Sequence, residues 1–170
     1  MNTKGLAEYA EGVYRATMGL FDLVPEDKLD WRPSDKNNWW TTSQLLMHLT
    51  TATGVCMKGF ITGEWPEMPE FEGCEEGVLP PAEVFPTVAS VAEAKKMLEE
   101  DRKLAAAQLA ELSDDDFSNK IVTAPWDPRP LPLWNQLLMT VEHQISHKTT
   151  LFGYLKQLGV DVNTGHLYGM

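Results

Sequence analysis

An all-α fold, a four-helix bundle, is what this sequence predicts, and three observations carry the prediction. Four long segments place apolar residues at three- and four-residue steps, the repeat that lines one face of a helix. No stretch alternates apolar and polar residues over a useful length, as a half-buried strand would. The 25 residues from Gly63 to Thr87 hold three Gly, five Pro and seven Glu, which neither a helix nor a central strand tolerates. A connection of that length is expected to cross the bundle end to end. The second and third helices then run parallel, in up-down-down-up order. At 170 residues the chain is expected to form a single domain over 1–170 with its own core.

The first helix is expected over Thr3 to Val24, with Leu6, Tyr9, Val13, Thr17, Leu20 and Val24 in step and Pro25 as its stop. The second is expected over Thr42 to Ile61. Thr41 and Gln44 have the spacing of a capping box, and Gly63 stands where a left-handed cap closes a helix. The third opens at Ser90-Val91-Ala92-Glu93, a second capping box, and runs to about Leu112. Ser113-Asp114-Asp115-Asp116-Phe117 adds a single turn. The fourth helix follows the proline cluster Pro128, Pro130 and Pro132, read as its entry, and runs to about Leu158 before Gly159.

Composition narrows the function classes. Net charge is −11, from 25 acidic and 14 basic residues, and no Lys/Arg-rich run occurs. Nucleic-acid binders concentrate positive charge on one face, so no nucleic acid is expected as a partner. The opening residues lack the apolar core of a signal peptide, and no segment reads as a membrane span. Cys56 and Cys74 are therefore expected as reduced thiols in a cytoplasmic protein. The six tryptophans, Trp31, Trp39, Trp40, Trp65, Trp126 and Trp134, fall at or between helix ends. They are expected to pack the ends of the bundle, some of them at a pocket mouth.

Val141-Glu142-His143-Gln144-Ile145-Ser146-His147 places two histidines four residues apart in the fourth helix. At about 100° per residue they lie about 40° apart and about 6 Å along the axis, on one stripe. Leu133, Leu137, Val141, Ile145 and Leu151 fill the arc beside that stripe, so both imidazoles sit on the rim of the buried face. Two ring nitrogens can meet one ion at about 2.0–2.1 Å, and a tight site needs a third ligand. His48, in Leu45-Leu46-Met47-His48-Leu49, has the same rim placement on the second helix. If the two helices are neighbours, His48, His143 and His147 form a three-histidine set. The plain alternative is three histidines making ordinary hydrogen bonds at a core edge. His166, in the aromatic segment Asn163–Met170, is the least favoured further ligand, because such ends usually fray. That segment is expected to dock on the bundle or on a second subunit.

Other chemistries fail on spacing. Leu45, Thr140 and Gln144 stand three before the histidines, so the Glu-x-x-His of di-iron bundles is absent. Glu142 precedes His143 where a zincin has Glu following its first histidine. No G-x-S-x-G and no C-x-x-C occurs.

The segments Trp40 to Leu49 and Glu142 to His147, in an all-helical chain of this length, resemble the DinB-like family of damage-inducible, metal-dependent enzymes. The resemblance implies that His48, His143 and His147 bind one divalent metal ion, zinc or nickel, with water in the open positions. It also implies a homodimer acting on a small-molecule substrate, as a thiol S-transferase or a hydrolase. Lys148-Thr149-Thr150 replaces the Arg-Gly-Gln that often follows the last histidine in that family, so shared substrate contacts are not carried over. A non-catalytic metal-binding protein of the stress response is the alternative function. Glu142 and Asp22 are the carboxylates considered as general base, without a position for either.

Overall fold

The computed structural model describes residues 1–66 and 80–170, and it is mostly helical with one small two-stranded sheet. Cys74 and much of the long middle connection lie outside the described residues. Helix α1 spans Thr3–Phe21, capped by Asn2, whose side chain accepts from the Gly5 amide. It stops short of Val24, because the amides of Leu23 and Val24 turn to carbonyls three residues back, at Leu20 and Phe21. That tightening closes the helix ahead of Pro25.

The expected second helix is two helices, α2 over Thr42–Leu49 and α3 over Gly54–Thr62. Both sides of the Thr41–Gln44 capping box are present. The break falls on Thr50-Thr51-Ala52-Thr53, where short polar side chains compete for backbone partners. Thr50 Oγ1 donates to the Met47 carbonyl, and Thr53 Oγ1 reaches across to Gln144 Oε1. The first amides of α3 are taken by another helix: Gly54 N and Val55 N donate at 2.9 Å to the carboxylate of Asp101. Gly63, at φ +80°, closes α3.

Helix α4 spans Val91–Glu111. Ser90 accepts from the Glu93 amide, but Glu93 returns its bond to Ala89 N, one residue earlier than the expected box. Helix α5, Asp114–Asn119, is the expected short turn grown to six residues, capped by Ser113. The proline cluster departs from expectation. Asp127–Pro132 is a strand, β2, paired antiparallel with β1, Ile121–Ala124. Proline at every second position leaves the intervening amides for a partner, which an edge strand permits. Leu133 N then donates to the Lys120 carbonyl at 2.8 Å and leads into α6, Leu133–Gln157. Gly159, at φ +80°, follows its end. A last short helix, α7, spans Thr164–Tyr168.

One core joins these elements. Leu6, Leu20 and Phe21 of α1 meet Leu45, Leu46 and Leu49 of α2, Leu98 of α4, and Leu137, Leu151 and Leu155 of α6, all buried. Polar pairs fix how the helices lie. Arg102 of α4 bonds Glu11 of α1 at 2.8 Å, and Lys95 bonds Asp22. Buried Asp101 accepts at 2.6 Å from Tyr14, and burial raises both groups above their usual values. Gln144 of α6, fully buried, receives Thr53 and donates to Thr17 of α1. Among the described residues no helix is long and apolar enough to cross a membrane.

Candidate metal centre

Two elements bring the three predicted histidines together. His48 sits in the last turn of α2, just before the break at Thr50. His143 and His147 sit one turn apart on α6, on either side of Gln144. Because Gln144 is held in the core by Thr53 and Thr17, the residues flanking it are turned toward the rim. The ring nitrogens of His48, His143 and His147 all lie within 4.8 Å of one another. His48 Nε2 and His143 Nε2 are 2.7 Å apart, so one ring donates and the other accepts. The ring centroids stand 4.4–5.0 Å apart, and each pair meets edge to face at 67–71°.

Trp40 backs the cluster. Its ring lies 4.8 Å from that of His48 and stacks on His147 at 5.6 Å and 15°. Tyr154 Oη donates to the Trp40 carbonyl at 3.0 Å, tying the tryptophan to α6, and Trp31 meets the Tyr154 ring edge-on. On the far side Phe85 packs on Trp40 at 5.0 Å. Phe85 is carried by the segment that Gln44 holds through the carbonyls of Ala82 and Phe85. Asn38, at φ +56°, pins the same segment through Pro80 O and Ala82 N.

Together these walls line an open cavity of about 610 Å³, with the three imidazoles on its surface. His48 and His147 are half-buried and His143 is exposed at the rim. Burial pushes His48 down to about 3, helped by the charges that His147 and His143 would carry. It pushes His147 down to about 4, with His143 as the second cause, and lowers His143 as well. Near neutral pH all three rings are therefore uncharged, the form in which imidazole binds metal.

The donor set tests which ion fits. Three neutral nitrogens, with no carboxylate among the described lining residues, suit zinc, nickel, copper or iron. Calcium and magnesium require oxygen ligands. Nitrogens bound to one tetrahedral ion stand about 3.3 Å apart, between the 2.7 Å contact and the 4.8 Å limit seen here.

The other candidates lie elsewhere. His166 Nδ1 accepts from Asn163 N within α7 and takes no part in the cluster. Asp22 pairs with Lys95, Glu142 is exposed, and neither lines the cavity. Cys56 is half-buried on α3, where burial, with Asp101 nearby, pushes its thiol up to about 11 and keeps it protonated. Trp65 and Trp126 form a separate cluster with Phe60. Lys148, beside His147, points away to the Leu167 carbonyl of α7. Trp40 and Tyr154 were within reach of sequence reasoning, as Tyr154 lies seven residues after His147 on the same helical stripe. Phe85 and Asn38 were not, because no periodicity marks a loop residue.

Fold and site define a helical protein with three imidazoles gathered at an apolar cavity. The chain belongs to the DinB superfamily, whose sequence profile matches residues 9–151. Among solved structures it is similar to a DinB-like protein from Bacillus cereus ATCC 10987, with a TM-score of 0.71 at 19% identity, covering 94% of this chain and 95% of that one. It is also similar to the DinB-like protein YjoA from Bacillus subtilis, with a TM-score of 0.67 at 14% identity, covering 93% and 94%. At those identities the likeness is one of fold. No curated protein matches the chain.

Proposed function

We propose that this protein is a divalent-metal-dependent enzyme whose ion, zinc or nickel, is held by His48, His143 and His147. The convergence of three ring nitrogens within 4.8 Å at an apolar cavity carries the reading. Such an ion, when bound, supplies Lewis acidity that favours deprotonation of a water or thiol ligand. Of the two reactions, thiol transfer suits the cavity better than hydrolysis. Water is a weak acid that profits from a general base, and no carboxylate stands among the described lining residues. A thiol, with a usual pKa of about 8.5, needs far less help. Trp40 holds two of the imidazoles in place.

The same reading takes α1, the α2–α3 pair, α4 and α6 as the four helices of a bundle in up-down-down-up order. Its support is the pairing of Asp22 with Lys95 and of Glu11 with Arg102, which runs α1 against α4. Trp40 with Tyr154 and Thr53 with Thr140 likewise run α2–α3 against α6.

Elemental analysis of protein prepared without a histidine tag tests the metal. One ion per chain is expected, lost in His48→Ala, His143→Ala and His147→Ala. Full metal content in all three variants would remove the proposal. A non-catalytic metal-binding protein is the outcome if metal is present but a panel of thiols and electrophiles shows no turnover that His147→Ala abolishes.

A further inference from the structure

Gln44 lies one turn before His48 on α2, buried, with both ends of its side chain engaged. Its Oε1 accepts from Thr41 N at 2.8 Å, which completes the capping box of α2. Its Nε2 donates to the carbonyls of Ala82 and Phe85, the latter at 3.2 Å. A capping box accepts Glu as readily as Gln, since only an acceptor oxygen is needed. The loop is what requires the amide. A carboxylate there has no proton to give and would face carbonyl oxygens instead.

That loop leads on to the imidazoles. Asn38 fixes its start, accepting from Ala82 N and donating to Pro80 O at 3.0 Å, and Gln44 takes the Phe85 end. Phe85 packs on Trp40 with ring centroids 5.0 Å apart. Trp40 in turn stacks on His147 at 15° and lies 4.8 Å from the His48 ring. We infer that Gln44 is a positioning residue for the histidine cluster, acting through Phe85 and Trp40 rather than through the cap of its own helix. Seated by Gln44, Phe85 backs Trp40 against the two imidazoles, and removing that backing frees Trp40 to shift relative to them. The inference rests on the proposed function only where it concerns the metal. Residues outside a ligand set orient the ligands, and their loss costs a metal site about 10–100-fold in affinity.

The full-length wild type, Gln44→Glu, Phe85→Ala and the double variant test this. The ring C–H signals of His48 and His147 are recorded by NMR on metal-free protein carrying isotope-labelled histidine. An indole lying against an imidazole shifts those signals, so they report where Trp40 sits. Both single variants are expected to move them, Phe85→Ala without any added charge. Affinity for cobalt(II), which suits the same nitrogen donors, is measured by competition with a chelator. It is expected to fall about tenfold in each single variant. The double variant is expected to lose about tenfold as well, not about a hundredfold, because both changes break one chain of contacts. A Gln44 that merely caps α2 predicts unmoved signals in Gln44→Glu, and that result overturns the inference. So do unmoved signals in Phe85→Ala, which decide the matter alone if Gln44→Glu does not fold. Additive losses of cobalt affinity overturn it too. A wild-type chain that binds no cobalt removes the metal reading and leaves the ring signals to judge the positioning. One cobalt per chain, with signals that neither substitution moves, removes this inference alone.

Discussion

His48 and His147 sit half-buried between α2 and α6 with Trp40 against both rings, and that setting holds the imidazoles uncharged. The consequence for stability has a definite sign. An unfolded histidine takes up its proton near 6.5, whereas these two stay neutral down to about 3 and about 4. As pH falls below 6.5 the unfolded chain binds more protons than the folded one, and stability declines. Above 6.5 both states are neutral and the contribution is constant. The urea midpoint of the metal-free chain is therefore expected to drop between about pH 7 and about pH 5, and to drop less in a His48→Phe/His147→Phe variant. An unchanged pH slope in that variant would contradict this account. At this scale the pairing of His143 with His147 was legible beforehand, because residues four apart on a helix must share a stripe. The role of Gln144 was not: its burial depends on Thr17 and Thr53, which belong to other elements.

At the scale of elements, the informative feature is the break between α2 and α3. Periodicity ran unbroken from Thr42 to Ile61, because Leu45, Leu49, Cys56 and Phe60 keep nearly the same step across it. What ends α2 is competition for backbone partners, and what restarts α3 is a carboxylate from α4. Asp101 serves as the N-terminal cap that Thr53 does not provide. The fit is tight, since a Cβ at Gly54 would collide with the Asp101 carbonyl and stand 2.8 Å from its Oδ1. Gly54→Ala is thus expected to destabilise the fold by about 2 kcal/mol or more. Gly12→Ala in α1, where nothing lies within 4 Å of the new Cβ, should stabilise it by about 0.5–1 kcal/mol. Chemical denaturation of the two variants gives the comparison; the same sign for both would refute the close approach of α4 to α3 at Gly54. The β1–β2 hairpin escaped sequence reasoning for a different reason. Its strand carries three prolines and no hydrophobic alternation, and a two-stranded ribbon needs only one bonded edge.

Across the whole molecule, α7 folds back on the remainder. Lys148, only 4% exposed, donates to the Leu167 carbonyl and lies 5.7 Å from the Tyr168 ring. Gly169, at φ +68°, brings the chain against Ala16 of α1, with room for no Cβ to spare. Deleting residues 163–170 uncovers that side of α1 and the Lys148 ammonium. The expected cost is about 1 kcal/mol or more, read as a Tm about 2–4 °C lower. The metal content expected under the proposed function should be unchanged, since no α7 residue is among the described lining residues of the histidine pocket. An unaltered Tm would show that α7 contributes nothing to the fold.

By itself the sequence determined where most of the helical segments lie, the caps at Thr41, Ser90 and Gly63, and the rim placement of His48, His143 and His147. Those are local properties, set by repeat length and by the hydrogen bonds of neighbouring residues. Only the tertiary structure decided that Asp101 caps α3, that Gln144 turns α6, and that Trp40, Phe85 and Tyr154 wall a cavity over the histidines. Each of those joins residues from separate elements, often far apart in the chain. Burial and partner choice at such distances depend on packing that no local pattern records.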